Sequence, residues 1–389
     1  MQNNPSSAPF RTGGVLLISL CHFIHDVYSS FLSPLLPLLI EKLSLSLTRA
    51  GLLSTVMQLP ALLNPLIGQW ADRISTRWFV ILAPAMTAVP MSLLGVAPSY
   101  GVLLLLLFIT GISTSLFHVP SPVMIAKLSG DLKGRGMSFF MTGGELARTV
   151  GPMVAVGGVA LLGLEGLYPI MVFGVAASLW LYVTFKDVHI RSGKRPVSLR
   201  GTWKEMRFVL LPLAAILVAR GFMHAVVTTF LPTFVKLRTG DLWLAGISLA
   251  LVEAAGVVGV LTAGFLSDTF GRRRILLISL IGAPISLGAF VWMDGWLRFA
   301  ALIVTGFTLL STTPVMLAMV QENSVSSPAA ANGIYMMISF LARSAVVVIV
   351  GFMGDQIGLQ ATYLCSAALG VAGIPFILML PGKKRPTAG

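Results

Sequence analysis

Charge is what this sequence has least of. Of its 389 residues only 11% are Asp, Glu, Lys or Arg, and 56% are hydrophobic, where a soluble domain carries roughly a quarter charged. A water-soluble fold of this composition would lack the polar surface to cover itself. A soluble enzyme or binding module is therefore excluded, and the lipid bilayer is the natural solvent. Cysteine is nearly absent: Cys21 and Cys365 both fall in apolar runs, which supports neither a disulfide framework nor a zinc site. The chain also lacks the pattern of a cleaved leader. Its first 14 residues are polar, and the first apolar run, residues 15–40, is long enough to stay in the membrane. Long polar connections are missing as well, with one exception at residues 187–206.

What remains is a series of apolar runs of about 20 residues each, the length that crosses a bilayer as a helix. They predict an all-α integral membrane protein of twelve transmembrane helices. The spans lie near residues 14–40, 49–71, 78–97, 101–127, 136–163 and 167–186, then 207–235, 242–266, 274–293, 298–320, 329–353 and 360–380. The polar exception divides them into a six-helix bundle at 1–186, a basic linker at 187–206 and a second six-helix bundle at 207–389. Residues 202–207 read as a short amphipathic piece at the end of that linker.

A net charge of +13 suggests nucleic acid in a soluble protein, but its location argues otherwise. Arg73 and Arg77, Lys127, Lys133 and Arg135, and Arg272, Arg273 and Arg274 lie in connections that alternate with others almost free of base. The linker and the tail Lys383-Lys384-Arg385 fall on the same side. This positive-inside pattern predicts a multi-pass protein of the cell inner membrane with both termini cytoplasmic and no nucleic-acid partner.

The halves repeat each other. Gly68-Gln-Trp-Ala-Asp72 recurs as Gly264-Phe-Leu-Ser-Asp268, Thr110-Gly111 as Thr305-Gly306, and Pro122-Val123-Met124 as Pro314-Val315-Met316. Leu146-Ala147-Arg148 recurs as Leu341-Ala342-Arg343, and His25 with Phe31-Leu32 as His224 with Phe230-Leu231. The offsets stay between 192 and 199 and keep their order. Parallel repeats of six spans predict a substrate site between the halves near the bilayer midplane.

Six charged side chains fall inside the spans: Asp26, Glu145, Arg148, Arg220, Glu253 and Arg343. Each costs about 2.5–3.5 kcal/mol at a lipid-facing helix centre, so they must face the interior, water or one another. His22, His25, Asp26 and Ser29 stand at helical spacing on one stripe, and Arg220, His224 and Thr228 make a comparable stripe on the seventh span. Thr110, Thr114, His118 and Ser121 line the fourth span; Asn332, Ser339 and Arg343 line the eleventh.

Asp26 is the first candidate for a coupling proton, with His22 and His25 as relays in the neutral range and Glu145 as the next. The competing reading is a polar knot that fixes helix packing. A metal at His22, His25 and Asp26 is disfavoured, because ligands normally bring more partners and an outer shell. Glu145 and Arg148, three residues apart, read either as an internal salt bridge or as a switch that frees Arg148 for an anion. Arg343 has no acid three or four positions away, and with Arg148, Arg220, His224, His118 and Asn332 it completes a candidate substrate set of neutral-to-positive character. Glu253 reads as structural.

The stretches Gly68 to Arg77 and Gly264 to Arg274 resemble the signature of the major facilitator superfamily. The second copy, Gly264-xxx-Asp268-xx-Gly271-Arg272-Arg273-Arg274, matches in full; in the first, Ser75 and Thr76 replace the usual Gly-Arg but Asp72, Arg73 and Arg77 survive. The resemblance implies that these residues form a gating motif, with Asp72 and Asp268 latching the cytoplasmic side; the alternative is that the arginines only fix orientation. It also implies a cavity lined by the first, fourth, seventh and tenth helices. Ser19-Leu20-Cys21-His22-xxx-Asp26, Pro37-Leu38-Leu39, Phe117-His118, Gly143-Gly144 and Gly151-Pro152 look like the fosmidomycin-resistance-type exporters within that superfamily. His25, and Val119 between His118 and Pro120, depart from that pattern.

The expectation is a secondary active transporter rather than an enzyme: a proton-coupled antiporter exporting a small amphipathic or anionic compound, of drug-efflux type, by alternating access. A proton-coupled symporter importing a small organic anion is the alternative, and an intramembrane enzyme or channel a remote one. Its expected partners are the substrate, protons and the bilayer; no cofactor and no metal are implied, and the expected state is a monomer.

Overall fold

The computed structural model describes residues 10–64, 67, 77–130, 132–185, 199–324 and 328–381. These residues are overwhelmingly helical, with no strand among them. The reason is that a backbone in hydrocarbon must satisfy its own hydrogen bonds, which a helix does within one segment. Ten helices among the described residues are long and apolar enough to cross a membrane. Large apolar side chains such as Leu161, Val183, Phe265, Ile285 and Trp292 are exposed on them, a surface suited to lipid and not to water.

The long helix Pro328–Val371 contains Gly358 at φ 76°, ψ 157°. A glycine alone takes that conformation cheaply, so two helices meet there, between the predicted spans ending at 353 and starting at 360. The second predicted span begins as the helix Leu47–Gln58, tightens into a 3-10 turn at Leu59–Leu63 around Pro60, and runs on outside the described residues. The first span is broken between Thr12–Ser29 and Leu32–Leu43. Pro34 has no N–H to give the carbonyl four residues earlier. The Ser29 and Ser30 hydroxyls both donate to the Asp26 carbonyl, at 3.0 and 2.7 Å, which favours a bend.

The chain forms two compact units, 1–35 with 56–195, and 36–55 with 196–389. The core of the first gathers Val15, Ile18, Cys21, Phe117, Ile125 and Leu181; that of the second gathers Val209, Leu213, Leu276, Met316 and Tyr335. One repeated dipeptide does the same work in each. A Cβ on Gly111 would lie 2.2 Å from the Met57 carbonyl oxygen, and one on Gly306 would lie 2.3 Å from that of Val252. Both helix pairs therefore touch backbone to backbone, which only glycine allows. In the second unit the Asp355 carboxylate accepts from the Leu47 and Thr48 amides at 2.7 and 2.8 Å, capping the helix Leu47–Gln58 from another segment. Residues 199–206 form the first turns of the helix Leu199–Thr228, while 187–198 lie outside the described residues.

Candidate functional site

The helix Thr12–Ser29 carries His22, His25 and Asp26 into the interior of the first unit, where all three are buried. His118, at the last position of the helix Tyr100–His118, joins them. His22 Nε2 lies 3.2 Å from Asp26 Oδ2 and 3.3 Å from His118 Nε2; His118 Nε2 lies 3.5 Å from Asp26 Oδ1. Ligand-type atoms of these three residues fall within 4.8 Å of one another, a convergence suited to holding a cation.

The proton positions follow from the neighbours. His22 Nδ1 lies 2.8 Å from the Phe140 carbonyl, and His118 Nδ1 lies 3.0 Å from that of Thr114. A carbonyl can only accept, so both Nδ1 atoms donate. In the neutral rings both Nε2 atoms then present lone pairs, to each other and to a carboxylate. The arrangement is one hydrogen short, and a single proton on either Nε2 turns repulsion into a charge-assisted bond to Asp26.

His25 behaves differently from its place on the predicted stripe. Its side chain is fully buried, its Nδ1 donates to Asp26 Oδ1 at 2.8 Å, and its ring stacks on Phe117 with centroids 4.6 Å apart. It orients the carboxylate from behind. His118, whose side chain is 37% exposed against 13% for Asp26, is the open member of the cluster. Helix spacing alone missed it as a partner of Asp26, because it comes from a helix distant in sequence. Phe140, stacked on His22 at 4.0 Å, and Gly144 were missed for the same reason. A Cβ on Gly144 would lie 2.7 Å from His22 Cε1 and 3.3 Å from Asp26 Oδ2, so glycine is what lets the helix Lys133–Leu162 cover the cluster.

Glu145 and Arg148 form the predicted ion pair on that covering helix, with the Arg148 side chain half exposed. Arg148 also lies within electrostatic reach of His118, which brings it to the margin of the cluster. In the second unit, Arg220 is buried and Nη2 faces the Leu309 carbonyl at 3.4 Å, while Nε has no hydrogen-bond partner. Buried Tyr335 lies within reach of both Arg220 and Arg343, a link the sequence did not suggest. Arg343 stacks over the Phe340 ring at 4.8 Å. His224 Nδ1 meets Thr228 Oγ1 at 3.2 Å, and Asn332 Oδ1 is buried without a hydrogen bond.

Of the gating motif, Gly68, Asp72 and Arg73 lie outside the described residues. In the second copy Gly271 ends the helix Leu242–Phe270 at φ 95°, and Arg272 pairs with Asp268 at 2.5 Å and with Glu322 at 2.7 Å. Glu322, on the helix Leu297–Asn323, is a partner the motif did not predict.

A family model described as Major Facilitator Superfamily matches residues 18–345 and 244–389. The chain is 25% identical over 395 residues to the fosmidomycin resistance protein of Escherichia coli (strain K12), covering 98% of this chain and 96% of that one. It is 23% identical over 386 residues to the uncharacterized MFS-type transporter YfnC of Bacillus subtilis (strain 168), covering 95% and 93%. Among solved structures, a bacterial homologue of the human lysosomal transporter Spinster, inward-facing and occupied, superposes with TM-score 0.83 at 16% identity over 96% of this chain and 97% of that one. A D-xylose–proton symporter superposes with TM-score 0.76 at 15% identity over 97% and 99%.

Proposed function

Because the chain belongs to the Major Facilitator Superfamily, we propose that it is a proton-coupled antiporter of the inner membrane that exports a small amphipathic or anionic compound by alternating access. The observation that carries the coupling is the meeting of His22, Asp26 and His118. A site short of one hydrogen, with one member open and its carboxylate held from behind by His25, is built to take up a proton and release it. Efflux is supported by the near full-length similarity to a protein named for fosmidomycin resistance. The anionic substrate class is supported by Arg220 and Arg343 around Tyr335, and by Arg148 at the margin of the proton cluster.

Asp72 and Asp268 act as latches in this reading, away from the substrate. In this reading both termini lie in the cytoplasm, which the basic connections support.

Transport in proteoliposomes tests the proposal, with labelled fosmidomycin as the first probe and a panel of toxic organic anions after it. An imposed proton gradient should drive the compound opposite to the proton. Movement in the same direction as the proton would establish the symport alternative. Flux that ignores the gradient would remove proton coupling altogether.

A further inference from the structure

A cavity of about 740 Å³ opens in the second unit where the helix Leu242–Phe270 gives way to Arg272–Trp292. Its lining includes Arg272, Arg273 and Arg274 together with the apolar Phe270, Met319 and Pro381. Two acids, Asp268 and Glu322, also line it, but both are engaged by Arg272. Among the described residues no ion pair involves Arg273 or Arg274, and Arg273 Nε is buried without a hydrogen-bond partner. With two acids set against three arginines, the lining keeps one net positive charge. The first-turn amides of the helix beginning at Arg272 add to the positive end.

We propose that this cavity binds the phosphate group of an anion of phospholipid-headgroup size. The planar fork of arginine matches a phosphate oxygen pair, and the volume lies in the range of small-molecule sites, roughly 300–1,000 Å³. The apolar side chains in the lining, Phe270, Met319 and Pro381, suit the glycerol and first methylenes of a lipid. A basic cluster at the polar end of a membrane span meets anionic headgroups at that level. A soluble phosphate ester would use the same arginines but not the apolar side chains. Its lining includes no residue of the proton cluster, though it shares Asp268, Gly271, Arg272 and Arg273 with the gating motif, and lipid binding is read without transport.

The test is native mass spectrometry of the purified full chain in neutral detergent, titrated with phosphatidylglycerol and, separately, with phosphatidylcholine. One phosphatidylglycerol should bind well above the background set by phosphatidylcholine. R273Q/R274Q should weaken it about thirtyfold, taking roughly fivefold for each basic residue near an anionic group. R273K/R274K, which keeps the charge but not the planar fork, should recover only part of it, and R298Q, at the other end of the second unit's spans, should leave it unchanged. If the double variant does not fold, R274Q alone, at an exposed position, should still lose about fivefold. Glycerol 3-phosphate is the competing arm: displacement of the lipid at millimolar concentration assigns the site to soluble phosphate esters, and failure to displace it assigns the site to lipid. Equal binding of the two lipids, or unaltered phosphatidylglycerol binding by R274Q, overturns the proposal.

Discussion

Asp26 and Arg220 are both buried on helices that open their respective six-span halves, yet they are housed in opposite ways. Around Asp26 the first unit has placed three histidines, His22 and His118 with Nε2 turned toward the carboxylate and His25 donating to it from behind. Around Arg220 the second unit has placed a tyrosine and a carbonyl, with Arg343 within reach of the same tyrosine, and the guanidiniums stay positive at any physiological pH. The sequence repeat sharpens the contrast. At the offset of 199 that aligns His25 with His224, Asp26 falls on Ala225 and Arg220 falls on Cys21. Neither half has kept the other's charged residue. In the proposed reading the two copies of one bundle divide the labour, one toward a movable proton and the other toward a fixed cation that suits an anion.

The harshest way to break that division is Asp26→Asn. The amide keeps the shape but removes the carboxylate that a proton on His22 or His118 pairs with. Gradient-driven transport should fall to the level of protein-free vesicles, while counterflow exchange, which needs no net proton movement, continues. Accumulation against a gradient by the variant would place the carrier elsewhere, with Glu145 the next residue to change.

The second unit is probed by Arg220→Gln and Arg343→Gln. Losing a charge-assisted contact costs about 1.5–3 kcal/mol, so the half-saturating concentration of an acidic substrate should rise roughly tenfold or more. That of a neutral substrate should move little. Equal loss for both substrates would assign these arginines to packing.

A milder perturbation separates geometry from chemistry within the first unit. Gly144→Ala puts a methyl group against the His22 ring, and overpacking of this kind costs about 1–3 kcal/mol. It should slow proton-driven flux roughly tenfold by tilting the ring away from Asp26, with counterflow largely kept. His22→Ala, which removes the ring instead of moving it, should shift the pH dependence of transport without abolishing coupling. If Gly144→Ala slows counterflow equally, the glycine serves helix packing and not the cluster.

Much of this was legible in the sequence because hydrocarbon imposes so few solutions. Twenty-residue apolar runs separated by short basic connections leave little but helices, and the Thr-Gly dipeptide repeated at 110 and 305 marks the same backbone contact in both units. Helical spacing also found the residues of the cluster on its own helix, His22 and Asp26. Spacing could not show that His25 stands behind the carboxylate while His118 stands in front, because that depends on how three helices rotate against each other. Tyr335 and Glu322 escaped for a similar reason: each is unremarkable in its own segment and acquires meaning from an arginine distant in sequence, Arg220 for Tyr335 and Arg272 for Glu322.

The smallest expected effect belongs to Asp268, and it tests whether the gating motif is apart from the substrate. The Asp268 carboxylate is exposed and holds Arg272, which Glu322 holds as well. Asp268→Asn therefore removes one of two acids from a shared arginine instead of orphaning it. A contact of this exposed kind is worth about 0.3–1 kcal/mol, so the rate of transport should fall only about two- to fivefold. Substrate affinity should stay within error of the parent chain, because Arg220 and Tyr335 are untouched. Pairing the change with Glu322→Gln should cost more than the sum of the two single changes, since the double variant leaves Arg272 with neither acid. A strictly additive double variant would mean that the two carboxylates do not act on the same arginine during transport. Loss of substrate binding by Asp268→Asn at normal expression would place the motif in the binding site, against the separation argued for it.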